Sequence, residues 1–329
     1  MQGTDGHVVA EGLVRRFGTI EAVAGIDLVI APGEIFGFLG PNGAGKSTTV
    51  RMLTTLLRPT AGRAWVAGYD IVEQSDAVRR SIGVALQDAA IDPLMTGREL
   101  LALQAVLHGI PRSASHDRGQ VLLEMVGLTG AADRRVGTYS GGMARRLDLA
   151  LSLIHEPQVL FLDEPTTGLD PNSRFAMWEE LRKLNRERGT TVFLTTQYME
   201  EADELTGRVA IIDDGRIVAQ GTPAELKAKV GLPTLQVTMG HGQDAIGAES
   251  ILMRFGEPVP APPGAAAVRL EGGASGVAAV VRALDEGKVL LEGLELHLPT
   301  LDDVFQEATG RRLEGAEPVT AEPEGQPQR

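Results

Sequence analysis

Gly40-Pro41-Asn42-Gly43-Ala44-Gly45-Lys46-Ser47-Thr48 follows the apolar run Ile35-Phe36-Gly37-Phe38-Leu39 and leads into Val50, Leu53, Leu56 and Leu57. The run before it reads as a buried strand, and the spacing after it reads as a helix. The stretch itself matches G-x-x-x-x-G-K-[ST] in the strand–loop–helix setting that this pattern requires. Its glycines let the main chain turn N–H groups inward around a phosphate, where a Cβ would obstruct the turn or the ligand. Lys46 is expected to reach the β- and γ-phosphates and the Ser47 hydroxyl to ligate Mg²⁺. The helix start adds unpaired N–H groups and its positive dipole end. A glycine-rich turn with no ligand is the bland alternative, and the completeness of the motif in its setting counts against it. Residues 40–48 are read as a nucleoside-triphosphate site.

Composition narrows what surrounds that site. A length of 329 residues leaves room for two domains, and 43% hydrophobic residues suffice for a core. A formal charge of −13 argues against a nucleic-acid binder that relies on a basic surface. No run approaches the ~18 apolar residues of a membrane span, and no charged-then-apolar leader is read at the N-terminus. Any membrane role is therefore expected to depend on a partner chain. The absence of cysteine rules out disulfides and thiol catalysis, and the six scattered histidines lack metal-ligand spacing.

Before the phosphate loop, short apolar segments over residues 7–30 predict a small antiparallel sheet. Phe17 falls among them, either as packing or as a platform for an adenine ring. After it, 63–68 and 81–86 predict strands, the second ending at Gln87. That glutamine is either the first solvated residue or an amide oxygen for Mg²⁺ or attacking water. Residues 93–137 are expected to be largely helical, with helices over 96–107 and 120–126. Ser140-Gly141-Gly142 then opens an amphipathic helix that stops before Pro157, and reads as either a cap and turn or a second anion site. Val159-Leu160-Phe161-Leu162 predicts a buried strand ending in Asp163 and Glu164, at the edge where open α/β sheets bind ligands. Asp163 is expected to support hydrated Mg²⁺, and Glu164 to orient and deprotonate the attacking water. A helix over 173–188, a strand over 191–197, a helix over 199–205 and a hairpin around Asp213-Asp214-Gly215 complete this part.

Taken in order, Phe17, residues 40–48, Gln87, Ser140-Gly141-Gly142, Asp163-Glu164 and Gly168-Leu169-Asp170 resemble an ATP-binding subunit of an ABC (ATP-binding cassette) transporter, over about residues 7–221. Thr138–Met143 with Arg145–Asp148, Thr195–Asp203 and Leu301-Asp302-Asp303-Val304-Phe305 resemble the daunorubicin-resistance type of bacterial drug-export ATPase. The resemblance implies an α/β phosphate-loop core with an antiparallel β subdomain and a helical subdomain. It implies ATP and Mg²⁺, held by Phe17, Gly40, Pro41, Asn42, Gly43, Ala44, Gly45, Lys46, Ser47 and Thr48 of one chain. Ser140, Gly141 and Gly142 would close on that nucleotide from a second copy, head to tail, and Asp170, counted with the nucleotide-binding residues, would help communicate across that interface. Glu164, Gln197, Lys46 and Gln87 would be catalytic, with Ser47, Gln87 and Asp163 at the metal. Tyr139 and Met143 stand where the family has Leu and Gln, and Gln197 stands where it usually has a histidine. Gln197 can donate a neutral hydrogen bond but cannot titrate near neutral pH. Residues 88–110 would form the lobe that touches a membrane permease, which would hold the chain peripherally at the cytoplasmic face of the membrane.

Beyond residue 221 the pattern predicts a small α+β accessory domain over 222–310 and a disordered tail over 311–329. Strands are read at 235–239, 266–270 and 289–298 and helices at 248–255, 277–284 and 301–308, with Pro-rich 258–263 as a loop. Two rivals to the exporter ATPase remain. One is an ATP-dependent dimerisation clamp with little hydrolysis, kept open by Gln197. The other is a soluble ABC ATPase acting on ribosomes or DNA, which the acidic charge and the single cassette disfavour.

Overall fold

Alternation inside the apolar strands explains the architecture. The computed structural model describes residues 6–86, 91–240 and 245–311. In chain order it contains β1 (Val8–Phe17), β2 (Ile20–Ile30), β3 (Ile35–Leu39), α1 (Lys46–Leu53), β4 (Ala61–Val66), β5 (Tyr69–Asp70), α2 (Ser75–Ser81) and β6 (Ile82–Ala85). Next come α3 (Gly97–Leu107), α4 (Arg112–Met125), α5 (Gly141–Leu153), β7 (Val159–Asp163), α6 (Pro171–Arg188), β8 (Thr191–Thr196) and α7 (Met199–Leu205). A hairpin of β9 (Arg208–Asp213) and β10 (Arg216–Gly221) precedes α8 (Pro223–Val230). The chain divides into two compact units between Pro223 and Ala224.

In the first unit, a six-stranded sheet has the order β10-β9-β3-β8-β7-β6, and its central pairings are all parallel. Both faces are buried, so β7 reads as one apolar run. Val159 and Phe161 pack toward a core shared with α1 and the antiparallel sheet β2-β1-β4-β5. Leu160 and Leu162 point the other way, into a core shared with α3, α4, α5 and α6. Phe193 of β8 anchors the first core, with ring centroids 5.4–5.9 Å from those of Phe36, Phe38 and Phe161. The α/β phosphate-loop core, the antiparallel β subdomain and the helical lobe are all present.

Several local expectations shift. Ser81 closes α2 rather than opening a strand, and α2 itself escapes the pattern because Val78 is its one buried residue. Helix α4 starts earlier than read because small Ser115 and Gly119, rather than large apolar residues, line the buried face of its first turns. The predicted hairpin turn is confirmed by Asp214 and Gly215, both at positive φ (44° and 75°), as its tight geometry requires.

One buried carboxylate ties α6 to the segment after β8. Glu201 is fully buried and its Oε1 accepts a hydrogen bond from Trp178 Nε1 at 3.0 Å. Burial, against the weaker opposing pull of nearby donors, raises its pKa above the ordinary 4.5. Folding then disfavours the ionised form, so stability is highest below pH 4.5 as far as this group is concerned. It declines as pH rises toward the raised value. Glu201→Gln keeps the acceptor and removes the charge. Its melting temperature is expected to exceed that of the wild type at pH 8 and to approach it at low pH; identical pH curves would contradict the assignment.

The second unit carries β11 (Thr234–Met239), α9 (Ala245–Leu252), β12 (Gly256–Val259), β13 (Ala265–Leu270), α10 (Val277–Glu286), β14 (Leu291–His297) and α11 (Leu301–Thr309). Its antiparallel sheet has the order β12-β13-β11-β14. Leu235, Val237, Val268, Val280 and Leu284 make its core together with Ala248 and Leu252 of α9. Part of the expected Pro-rich loop is instead β12: Pro258 sits opposite Val268 on an edge strand, where its missing N–H breaks no ladder. Of the predicted tail, residues 312–329 lie outside the described residues.

Candidate functional site

Parallel pairing aligns the strand ends that matter. Leu39 lies beside Thr196, and Asp163 beside Thr195, so β3, β7 and β8 deliver their C-terminal residues to one edge. The phosphate loop leaves β3 there and turns into α1 through Gly45 at φ 107°. A Cβ on Gly45 would lie 2.5 Å from the Ala22 carbonyl oxygen, and one on Gly40 2.3 Å from that of Ile212. Glycine is demanded at both places by close main-chain approach.

Lys46, Ser47, Asp163 and Glu164 are brought together. Lys46 Nζ donates to the carbonyls of Gly40 (2.7 Å) and Pro41 (3.1 Å) and pairs with Glu164 Oε1 at 3.3 Å. Both side chains of this pair are almost wholly buried, at 4% and 6% exposure. Ser47 Oγ donates to Asp163 Oδ1 (3.2 Å), and the same oxygen accepts from Thr195 Oγ1 at 2.6 Å. The hydroxyl and the carboxylate are hard oxygen donors of the kind that suits a magnesium ion.

Glu164 is held in a conformation unusual for its residue type. Its φ is 49°, in the left-handed region, at a cost of ~1–2 kcal/mol. Neighbours fix it there. Its N–H faces the Thr195 carbonyl (3.1 Å) and hydroxyl (3.0 Å), and Thr167 Oγ1 donates to Oε2 at 3.2 Å. Thr167 did not stand out in the sequence, and Thr195 stood only within the stretch 195–203 with no role at this site; the signal available was the pair of threonines ending β8 beside the acidic pair.

The other expected residues are placed as follows. Phe17 ends β1 with 46% of its surface exposed, and the Arg15 guanidinium lies 4.5 Å from its ring centroid. Pro41, Asn42, Gly43 and Ala44 form the loop, and Thr48 lies in the first turn of α1. Gln197 follows β8 directly and is half-buried. Gln87 lies outside the described residues. Ser140 caps α5, its Oγ accepting from the Met143 N–H at 3.2 Å, and both Ser140 and Gly141 are exposed. Gly142 lies close to Leu169 and Ser173, where an added Cβ would sit 3.5–3.6 Å from their side chains. Among the described residues, none of the three hydrogen-bonds to Lys46, Ser47, Asp163 or Glu164. Asp170 caps α6, accepting from the Ser173 N–H (3.1 Å) and hydroxyl (2.5 Å), and these bonds hold its pKa below the usual carboxylate range.

Fold and site together define a phosphate-loop ATPase of the cassette class. The family described as ABC transporter matches residues 23–167. The daunorubicin resistance ATP-binding protein DrrA3 of Streptomyces coeruleorubidus is 44% identical over 314 residues, covering 95% of this chain and 99% of its own. Nod factor export ATP-binding protein I of Burkholderia lata is 37% identical over 317 residues, covering 91% and 96%. Among solved structures, CbiO1 of Clostridium perfringens, part of the ABC transporter complex CbiONQ, superposes with a TM-score of 0.64 at 28% identity. It covers 69% of this chain and 92% of its own. A cassette in a dimeric post-hydrolysis state bound to ADP and Pi does so at 0.60 and 26% identity, covering 65% and 98%. The chain belongs to the ABC transporter family and is an ATP-binding subunit of such a transporter. No helix among the described residues is long and apolar enough to cross a membrane.

Proposed function

We propose that the chain hydrolyses ATP, with Mg²⁺, to energise export of a drug or another hydrophobic compound through a separate membrane permease. The observation that carries the reading is the convergence of Lys46, Ser47, Asp163 and Glu164 at one strand edge. Lys46 balances phosphate charge there. Ser47, with Asp163 behind it, would hold Mg²⁺, which when bound neutralises charge on the phosphate oxygens. Glu164, constrained on both carboxylate oxygens, orients water and takes its proton. Phe17 offers its exposed ring to the base. Residues 1–221 form the catalytic cassette in this reading, and 222–310 an accessory domain.

Ser140, Gly141 and Gly142 supply a second set of N–H groups at the start of α5, outside the Lys46–Glu164 group. In our reading they close on the nucleotide of a second copy, head to tail, and a cassette related in fold is known as a dimer. The permease would dock in a groove of about 670 Å³ lined by Leu86, Ile91, Leu103, His108, Asp148 and His155. Leu94 and Leu107 are both 72% exposed beside it, in the lobe assigned to that contact. The complex would sit at the cytoplasmic face of the membrane. Drug cargo is supported by the names of the daunorubicin- and doxorubicin-resistance relatives, although the cargo itself is read by the permease. The test is Mg²⁺-dependent phosphate release by the full chain, with drug efflux from cells carrying chain and permease together; no turnover in either setting would refute it.

A clamp that binds ATP with little hydrolysis is the second reading, favoured by the Lys46–Glu164 ion pair, which engages the base, and by Gln197. Gln197→His is expected to preserve or raise turnover and to add a pH dependence near the imidazole pKa of ~6.5. Complete loss of activity would show that the site is built around glutamine.

A further inference from the structure

Five residues after Ser140, about one and a half turns along α5, Arg145 points into the protein with 11% of its side chain exposed. A guanidinium has five N–H donors, and burial demands an acceptor for each. All five are met. Nε donates to the Pro165 carbonyl at 3.1 Å. Nη1 donates to the Leu86 carbonyl (2.5 Å) and to Asp148 Oδ2 (3.3 Å). Nη2 donates to the carbonyls of Asp163 (2.7 Å) and Glu164 (3.2 Å). Three successive carbonyls, from the last residue of β7 onward, and the one just after β6 therefore hang on a single side chain.

We propose that Arg145 is a positioning residue that ties the helix carrying Ser140-Gly141-Gly142 to the main chain of Glu164, so that α5 transmits the state of one ATP site to the other. The proposal rests on the head-to-tail reading above. In that arrangement the start of α5 meets the partner's nucleotide, while Arg145 holds the strained peptide of this chain's own base. A displacement of α5 reaches the Asp163 and Glu164 carbonyls through the guanidinium bonds to them, at 2.7 and 3.2 Å. Asp148, one turn further along the same helix, orients the fork. Lysine cannot substitute, because three donors on a point charge cannot span carbonyls from two strands.

Arg145→Lys in the full chain is expected to keep the ATP dissociation constant within about twofold. Its kcat should fall by between ~10- and ~100-fold, the scale of an ångström-level misplacement. The Hill coefficient for ATP should drop from near two toward one, since coupling between two sites is what is lost. A purely structural arginine would lower the melting temperature and leave both the ratio of kcat to affinity and the Hill coefficient alone. Asp148→Asn loosens the fork without removing it and should move the same readouts in the same direction by less. Wild-type kcat and Hill coefficient in a folded Arg145→Lys chain overturn the proposal, and so do two variants that both fail to fold, which assign the residue to stability. Glu164→Gln separates the layers. If that chain does not dimerise with Mg-ATP, the head-to-tail reading itself fails; if it does while Arg145→Lys behaves as wild type, only the role of Arg145 fails.

Discussion

Glu164→Gln is expected to cut steady-state ATP hydrolysis by ~10²–10⁴-fold, the range a positioned general base contributes, while ATP binding stays close to wild type. Glutamine is nearly isosteric, so it can keep the bond from Thr167 Oγ1 and the main-chain bonds to Thr195. What it cannot do is take a proton. It also removes the charge that faces Lys46 at 3.3 Å, freeing that ammonium for phosphate. Affinity for ATP is therefore expected to hold or rise as turnover collapses. Single-turnover measurements with labelled ATP check both quantities at once, and wild-type turnover in the variant would remove Glu164 as the base.

Lys46→Ala is expected to weaken ATP binding by ~10- to 100-fold, since a hydrogen bond to a charged group contributes ~1.5–3 kcal/mol. A second cost falls on the protein itself. Removing one partner of a buried ion pair strands the other, and Glu164 has 6% exposure to water. The variant should thus melt below wild type, and adding Glu164→Gln should recover part of that loss. Equilibrium binding of a fluorescent ATP analogue, with melting curves of the single and double variants, tests both parts. Unchanged affinity would refute the assignment of residues 40–48.

Much of this was legible because the chemistry is local in sequence. The phosphate loop, the run Val159–Leu162 and the acidic pair after it are contiguous, and their neighbours on the sheet follow from strand order. Elements with little apolar signal were harder to read. α2 buries one valine, α4 buries a serine and a glycine at its start, and β12 contains a proline that an edge strand tolerates. Within the site, Thr195 reaches Asp163 across a register of 32 residues, which no local pattern announces. Arg145 stood in the sequence within a stretch that carries the family resemblance, with no role of its own. Its role depends on four carbonyls that only the packing of α5 against two strand ends brings into reach. Asp170 carries a helix cap that the motif does not announce, its carboxylate accepting from both the Ser173 N–H and hydroxyl.

The most direct test of the composite site is the mass of the Glu164→Gln chain in solution, by light scattering on a size-exclusion column, with and without Mg-ATP. Two copies of a 34.9 kDa chain closing on ATP should double the mass only when the nucleotide is present. Ser140→Arg in the same background should abolish the dimer while each chain still binds ATP through its own Lys46. A Glu164→Gln chain that binds ATP and stays monomeric at every concentration would contradict the account.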